Sequence, residues 1–199
     1  MENVNLTGQF LIAMPAMTDP YFSKSVTFIC THNQDGAMGI VLNRITDITI
    51  ANLFSQIKLE SDSASLLEKT VHYGGPMQTE RGFILHTPQY NVETQTSVDY
   101  NSTLLINNSI ALTTSKDILE AVAAKNGPQK MLIALGYAGW MPGQLEAEMA
   151  QNAWLTLQTS MIEETHALIF DAPNEHKFDL AMGIMGLNLA NLSDVAGHA

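Results

Sequence analysis

Cys30 is the one cysteine of this 199-residue chain, and His32 stands two positions after it. A thiolate beside an imidazole is an activated nucleophile. Two residues apart on a straight strand face the same side. The step between them is about 6.6 Å, however, which is long for a direct hydrogen bond. Val26 and Phe28 fall on the same face. The residues therefore favour a buried structural thiol over a reactive one.

Other residue types with chemical potential are scattered. The chain has six histidines but no His-Glu-x-x-His and no Cys-x-x-Cys. His32, His72 and His86 fall near expected strand ends, without metal-ligand spacing, so no metal or cofactor is expected. Ser55-Gln56-Ile57-Lys58 matches Ser-x-x-Lys, yet Ser-Asp-Asn and Lys-Thr-Gly are absent and the match is read as chance. No phosphate-binding glycine fingerprint occurs either.

Arg44 closes a strand of otherwise apolar character and Arg81 opens one, with Asp19 and His86 the other polar candidates. Arginines in such places usually meet carboxylates. Asp19, Glu146 and Glu148 are the expected partners, either in a structural network or around an anion-binding cleft.

The richest segment is Gly136-Tyr137-Ala138-Gly139-Trp140-Met141-Pro142-Gly143-Gln144-Leu145-Glu146-Ala147-Glu148. It follows an apolar run and leads into a helix-like one. Glu146 and Glu148 point about 200° apart on a helix and cannot act as one pair. Glu148 and Asn152, at i and i+4, would share a face and frame a polar pocket near Gln144. The candidate ligand or partner site is thus Asp19, Arg44, Arg81, His86, Tyr137, Trp140, Gln144, Glu148 and Asn152, with no residue assigned as catalytic.

The elements that must position these residues read as follows. Strands are expected over Gln9 to Met14, Ser25 to Thr31 and Ala37 to Asn43, the last two joined by a hairpin turn at Asn33-Gln34-Asp35-Gly36, with Asp-Gly its strongest signal. Ile50, Leu53, Phe54 and Ile57 make one face of a helix capped by Asp47 or Thr49. Ser61 to Lys69 is a loop or short helix. Further strands fall at Val71 to Tyr73, Arg81 to Thr87, Thr103 to Asn107, Ile110 to Leu112, Gln129 to Leu135 and Ala167 to Phe170. Asn91 to Ser102 is turn-rich. Helices are expected over Thr114 to Lys125, where Thr114 and Asp117 form a capping box, over Gly143 to Trp154, and after Pro173. The tail from Ser193 is expected to be loosely held. Hairpins between early strands and late helices favour an α+β fold in a single domain over residues 1–199.

Composition bounds the function. Apolar residues make 46% and charged residues 15% of the chain, which suits a folded globular protein. No apolar run reaches the ~18 residues of a membrane helix, and the N-terminus does not read as a signal peptide. A reduced, cytoplasmic setting with no membrane contact is expected. The net charge is −11, and no two of the nine basic residues lie closer than five positions. Such a field repels phosphates, so direct nucleic-acid binding is disfavoured.

Seven blocks, taken in order, resemble the YqgE/AlgH family of bacterial proteins. They include Gly8-Gln9-Phe10-Leu11-Ile12-Ala13-Met14-Pro15, Asp19-Pro20-Tyr21-Phe22, Gly36 to Arg44, Tyr73-Gly74-Gly75-Pro76 and Arg81 to His86. Gly136 to Glu148 with Asn152-Ala153-Trp154 is the strongest, and Gly197-His198-Ala199 resembles the family's ending. The resemblance implies a bifurcated β-sheet, part of it closed like a small barrel, surrounded by helices. It implies no catalytic residues. One branch carries the label of a transcriptional regulator of alginate production.

Together these residues favour a non-enzymatic protein that binds a small molecule or a protein partner, in a regulatory role. The alternative is an enzyme using a polar cleft around Arg44, Arg81, His86 and Glu148. DNA binding is the third reading.

Overall fold

The computed structural model describes residues 5–91 and 96–187. The expected loose tail lies outside them. In chain order the strands begin with β1 (Phe10–Ala13), β2 (Val26–Asn33), β3 (Gly36–Val41) and β4 (Ile45–Thr49). Helices α1 (Ile50–Gln56) and α2 (Ala64–Leu67) follow. Next come β5 (Thr70–Tyr73), β6 (Met77–His86), β7 (Gln89–Asn91), β8 (Thr96–Val98), β9 (Thr103–Asn107) and β10 (Ile110–Thr113). The chain continues through α3 (Asp117–Ala123), β11 (Met131–Trp140), α4 (Gln144–Ala150), β12 (Trp154–Leu157), α5 (Ile162–His166) and α6 (Lys177–Ile184). This is the α+β class. Two compact units form: the chain up to Arg44 together with the chain from Ala138, and Ile45–Tyr137.

In the first unit the strand order is β12-β1-β2-β3-β11, all antiparallel. All four residues of β1 are buried, so both faces are covered. The expected hairpin is present: Asn33 Oδ1 accepts from the Asp35 N–H at 2.8 Å, which sets the turn. Gly36 is required there, because a Cβ would lie 2.2 Å from the Trp140 carbonyl oxygen. The β2–β3 register slips between Ile29 and Thr31, leaving Cys30 as the extra residue of a bulge.

Two expectations fail in this unit. Trp154 does not end a helix; α4 stops at Ala150 and Trp154 starts β12. Ala167 to Phe170 is not a strand; Ala167–Asp171 is a π-helical turn continuing α5. A four-residue apolar run fits a buried helix segment as well as a strand, and here Leu168 and Ile169 fill the interior.

In the second unit β11-β6-β10-β9 is antiparallel. β5 pairs in parallel with the other side of β11, at Ala134 and Leu135, and β4 pairs with β5. β11 is therefore flanked on both sides there. Among the described residues neither unit's sheet closes into a barrel, where the resemblance implies a closed part. Leu53 and Phe54 of α1 and Ile118, Leu119 and Val122 of α3 pack with Ile84 and Ile133 as the core.

Thr49 caps α1 as expected, exchanging hydrogen bonds with Asn52. The Thr114–Asp117 capping box does not form. Lys116 is the cap residue of α3, and Asp117 accepts instead from the Ser115 hydroxyl and the Asn101 and Ile118 N–H groups. β7 and β8 form a hairpin of their own in the turn-rich stretch.

Candidate functional site

The strand expected to end at Leu135 continues into the glycine- and aromatic-rich segment. β11 runs through it to Trp140. Gly136 lies at a register shift, with φ +73, and a Cβ would sit 2.4 Å from the Gly75 carbonyl oxygen. The turn is only Met141-Pro142-Gly143, with Gly143 at φ +76.

Beyond the turn the side chains lock together. Gln144 Oε1 accepts from the Met141 N–H at 3.0 Å. Gln144 Nε2 donates to Glu148 Oε1 at 2.9 Å. The indole N–H groups of Trp140 and Trp154 both donate to Glu148 Oε2, at 2.9 and 2.8 Å. The two indoles are 6% and 5% exposed. Phe22 packs on both, with ring centroids 6.2 and 5.6 Å away. Asp19 holds Phe22 in place, its Oδ1 accepting from the Tyr21 and Phe22 N–H groups at 2.8 and 3.0 Å. Both oxygens of the Glu148 carboxylate thus accept from neutral donors of its own neighbourhood.

Asn152 does not share a helical face with Glu148. It lies past the end of α4 with φ +55. The chain turns there, as the Ala153 N–H donates to the Glu148 carbonyl at 3.0 Å.

Among the described residues Arg44 does not pair with a carboxylate. Its Nη2 donates to the Ser23 carbonyl at 2.9 Å. Glu146 pairs instead with His32, Nε2 to Oε1 at 3.1 Å. The Leu6 N–H donates to His32 Nδ1 at 3.2 Å, so the ring proton sits on Nε2 and points at Glu146. The Glu146 carboxyl is held below the usual range by its own main-chain N–H and further by His32, against partial desolvation. The sequence sets His32 beside Cys30 and not beside Glu146, because its partner lies 114 residues away.

Cys30 is buried with its thiol near the Phe28 carbonyl, and burial pushes its pKa up. That is the inert case. Lys177, unmarked in sequence, is 2% exposed and donates to the Leu42 and Ile169 carbonyls at 3.2 and 2.8 Å. Burial lowers its pKa to about 8, against an opposing pull from Asp171.

Arg81, His86 and Tyr137 belong to the second unit. Arg81 Nη2 donates to the Thr114 hydroxyl at 3.1 Å, and its guanidinium lies 5.7 Å from the centre of the Phe83 ring. Phe83 in turn packs on Tyr137 at 5.3 Å. His86 Nδ1 faces the Thr87 carbonyl at 3.0 Å and Nε2 faces the Thr113 hydroxyl at 2.9 Å. A carbonyl only accepts, so the neutral ring carries its proton on Nδ1. Burial holds the His86 pKa below the usual histidine value, with the Thr87 carbonyl acting the other way.

The second unit also carries a groove of about 720 Å³, lined by Phe54, Ser55, Lys58, Leu59, Glu60 and Leu67 among others. Ser55 and Lys58 of the Ser-x-x-Lys match border it. The volume falls within the range of small-molecule sites. Among the described residues no three His, Cys, Asp or Glu side chains group as metal ligands. No helix among them is long and apolar enough to cross a membrane.

Comparison with known proteins places this geometry in a family. A UPF0301 protein of Thiobacillus denitrificans is 49% identical over 199 residues, covering all of both chains. A UPF0301 protein of Burkholderia cenocepacia is 48% identical, over 100% of this chain and 97% of its own. The solution structure of the AlgH protein from Pseudomonas aeruginosa aligns with a TM-score of 0.76 at 42% identity, covering 100% of this chain and 98% of that one. The AlgH-like family description matches residues 10–190, and the chain belongs to that family.

Proposed function

We propose that this is a non-enzymatic cytoplasmic binding protein, acting on a small ligand or a protein partner in a regulatory pathway. The observation that supports it most is the engagement of both Glu148 oxygens by two indoles and Gln144. A general acid or base must be within reach of substrate with a lone pair or proton to give. Arg44, Arg81 and His86, the other residues of the enzymatic alternative, are also engaged by internal partners. Regulation by direct DNA contact is disfavoured by the charge of −11.

The groove beside α1 is the ligand site we favour. Its lining combines the apolar Phe54, Leu59 and Leu67 with two charges, Lys58 and Glu60. Amide NMR of the full chain, titrated with nucleotides, inorganic phosphate and small organic acids, tests it. Binding shifts the signals around Ser55 to Leu59, and Ala51→Trp, a change in the groove's lining, abolishes those shifts. If no compound moves these signals, the groove is not the ligand site. Ligand-induced shifts in the His86 and Arg81 signals, with turnover of the compound, would favour the enzyme instead.

A further inference from the structure

Leu6 enters the interior of the first unit ahead of β1. It is buried, in one cluster with Leu11, Ile29, Trp140, Leu145 and Trp154. Two bonds fasten the Leu6-Thr7 segment to His32 of β2. The Leu6 N–H donates to His32 Nδ1 at 3.2 Å, and the His32 main-chain N–H donates to the Thr7 hydroxyl at 2.9 Å. On the other side of the ring, Nε2 donates to Glu146 Oε1 at 3.1 Å. The His32 ring is buried, whereas the Glu146 carboxylate is half exposed. The groups that face His32 are few: Glu146 from α4, Leu6 and Thr7 from the N-terminal segment, and Ala37 opposite it on β3. Among the described residues Glu146 is the one charged group within ion-pair distance of the ring.

A neutral imidazole satisfies both sides at once, with one N–H for Glu146 and one lone pair for Leu6. A second proton can enter only at Nδ1, because Nε2 already carries one. The imidazolium has a donor at each nitrogen. Its Nδ1–H then faces the Leu6 N–H, donor against donor, and the buried Leu6 amide loses its acceptor. The same proton turns the Glu146 contact into a charge-assisted hydrogen bond. One event therefore strengthens the tie to α4 and breaks the tie to the N-terminal segment. We infer that His32 is a proton-operated catch for the Leu6-Thr7 segment. Neutral, it holds Leu6 in the core; protonated, it is kept by Glu146 and lets Leu6 go. Release opens the apolar seat of Leu6, within the cluster that holds Trp140 and Trp154. Exposure of that seat is thereby regulated by pH, independently of the groove beside α1.

NMR of the full chain from about pH 8 to about pH 5, the range in which histidine titrates, tests this. The imidazole signals of His32 give its midpoint, and amide exchange gives the protection of Leu6. Corrected for the intrinsic pH dependence of exchange, Leu6 protection is expected to fall about tenfold, the worth of one hydrogen bond, with the midpoint of His32. The Ala13 amide, which donates to the Ser25 carbonyl at 3.0 Å, should stay protected because the unit remains folded. His32→Asn offers an acceptor near the place of Nδ1 and does not titrate, so Leu6 should stay protected throughout. Glu146→Gln, a change at a half-exposed side chain, removes the charge that keeps the imidazolium and should move both midpoints to lower pH together. A Leu6 amide that stays protected while His32 titrates overturns the inference. So does a loss of protection that persists in His32→Asn, a movement of one midpoint without the other in Glu146→Gln, or a His32 that stays neutral down to about pH 5.

Discussion

Trp140 and Trp154 donate their indole N–H groups to the same oxygen of Glu148, at 2.9 and 2.8 Å. One tryptophan ends β11 and the other begins β12, so a single carboxylate on α4 fixes both ends of the helical excursion between them. Replacing Glu148 by Ala leaves two buried donors without a partner. An unsatisfied buried donor costs about 1–3 kcal/mol, so Glu148→Ala should destabilise the protein by roughly 2–5 kcal/mol. Glu148→Gln keeps an acceptor oxygen and should lose less. Urea unfolding followed by tryptophan fluorescence checks both. Unchanged stability in Glu148→Ala would return Glu148 to the ligand-binding candidates.

Two glycines of the same segment separate steric from conformational demand. Gly136 and Gly143 both have φ near +75. Around Gly143 nothing lies within 4 Å of an added Cβ, whereas at Gly136 two carbonyl oxygens lie at 2.4 and 2.9 Å. Gly143→Ala should cost only the left-handed backbone strain, about 1–2 kcal/mol. Gly136→Ala adds a backbone collision and should cost at least ~3 kcal/mol. Equal midpoint shifts in parallel denaturation curves would contradict this.

Lys177 makes a prediction about pH. Its pKa is lowered in the fold, from 10.5 to about 8. Between those values the unfolded chain holds a proton that the folded chain has released, so stability rises with pH across that window. The rise is on the order of 3 kcal/mol for this single group. It is absent below pH 8, where both states are charged. Subtracting the pH profile of Lys177→Met from that of the parent isolates the contribution. A flat difference between pH 8 and 10.5 would show that the ammonium is not held in a desolvated site.

His32 and His86 should be opposite tautomers. His32 carries its proton on Nε2, because Nδ1 accepts from Leu6. His86 carries it on Nδ1, because that nitrogen faces the Thr87 carbonyl. Nitrogen-15 NMR of the imidazoles distinguishes the two forms at neutral pH. His86 should also titrate below the 6.5 of an ordinary histidine. The stability linked to it is therefore present above pH 6.5 and lost as the pH falls below that value toward the folded pKa. A His86 midpoint above 6.5 would mean that its surroundings favour the cation.

Local chemistry was the legible part of the fold. Asp35-Gly36 announced its hairpin, and Thr49 with Ile50, Leu53 and Phe54 announced α1, because each signal lies within a few residues. Trp154 and Ala167 to Phe170 depart from their local pattern because their state depends on packing partners far along the chain. The site shows the same division. Glu148 stood out as a carboxylate, but its task depends on Trp154, and nothing in an i, i+6 spacing signals that pair. Arg44 and Arg81 suggested carboxylates and found a main-chain carbonyl and a threonine hydroxyl. Every residue carries a carbonyl, so composition cannot reveal such a partner. Lys177 was passed over for the same reason.

The first unit is built from two distant stretches of chain, and this sets a timetable during synthesis. β1, β2 and β3 emerge from the ribosome early and can pair among themselves. The open edge of β3 must wait for Ala138–Trp140, and that of β1 for Trp154–Leu157. At about 5–20 residues per second, the β1 edge stays uncovered for roughly 7–30 s of translation. Ile45–Tyr137 is continuous and can complete itself within that interval. A nascent chain halted after Tyr137 would carry one finished unit and one apolar, three-stranded sheet unprotected on both sides. Chaperone engagement on the ribosome should accordingly peak before residue 157 is made, and fall once β12 has docked.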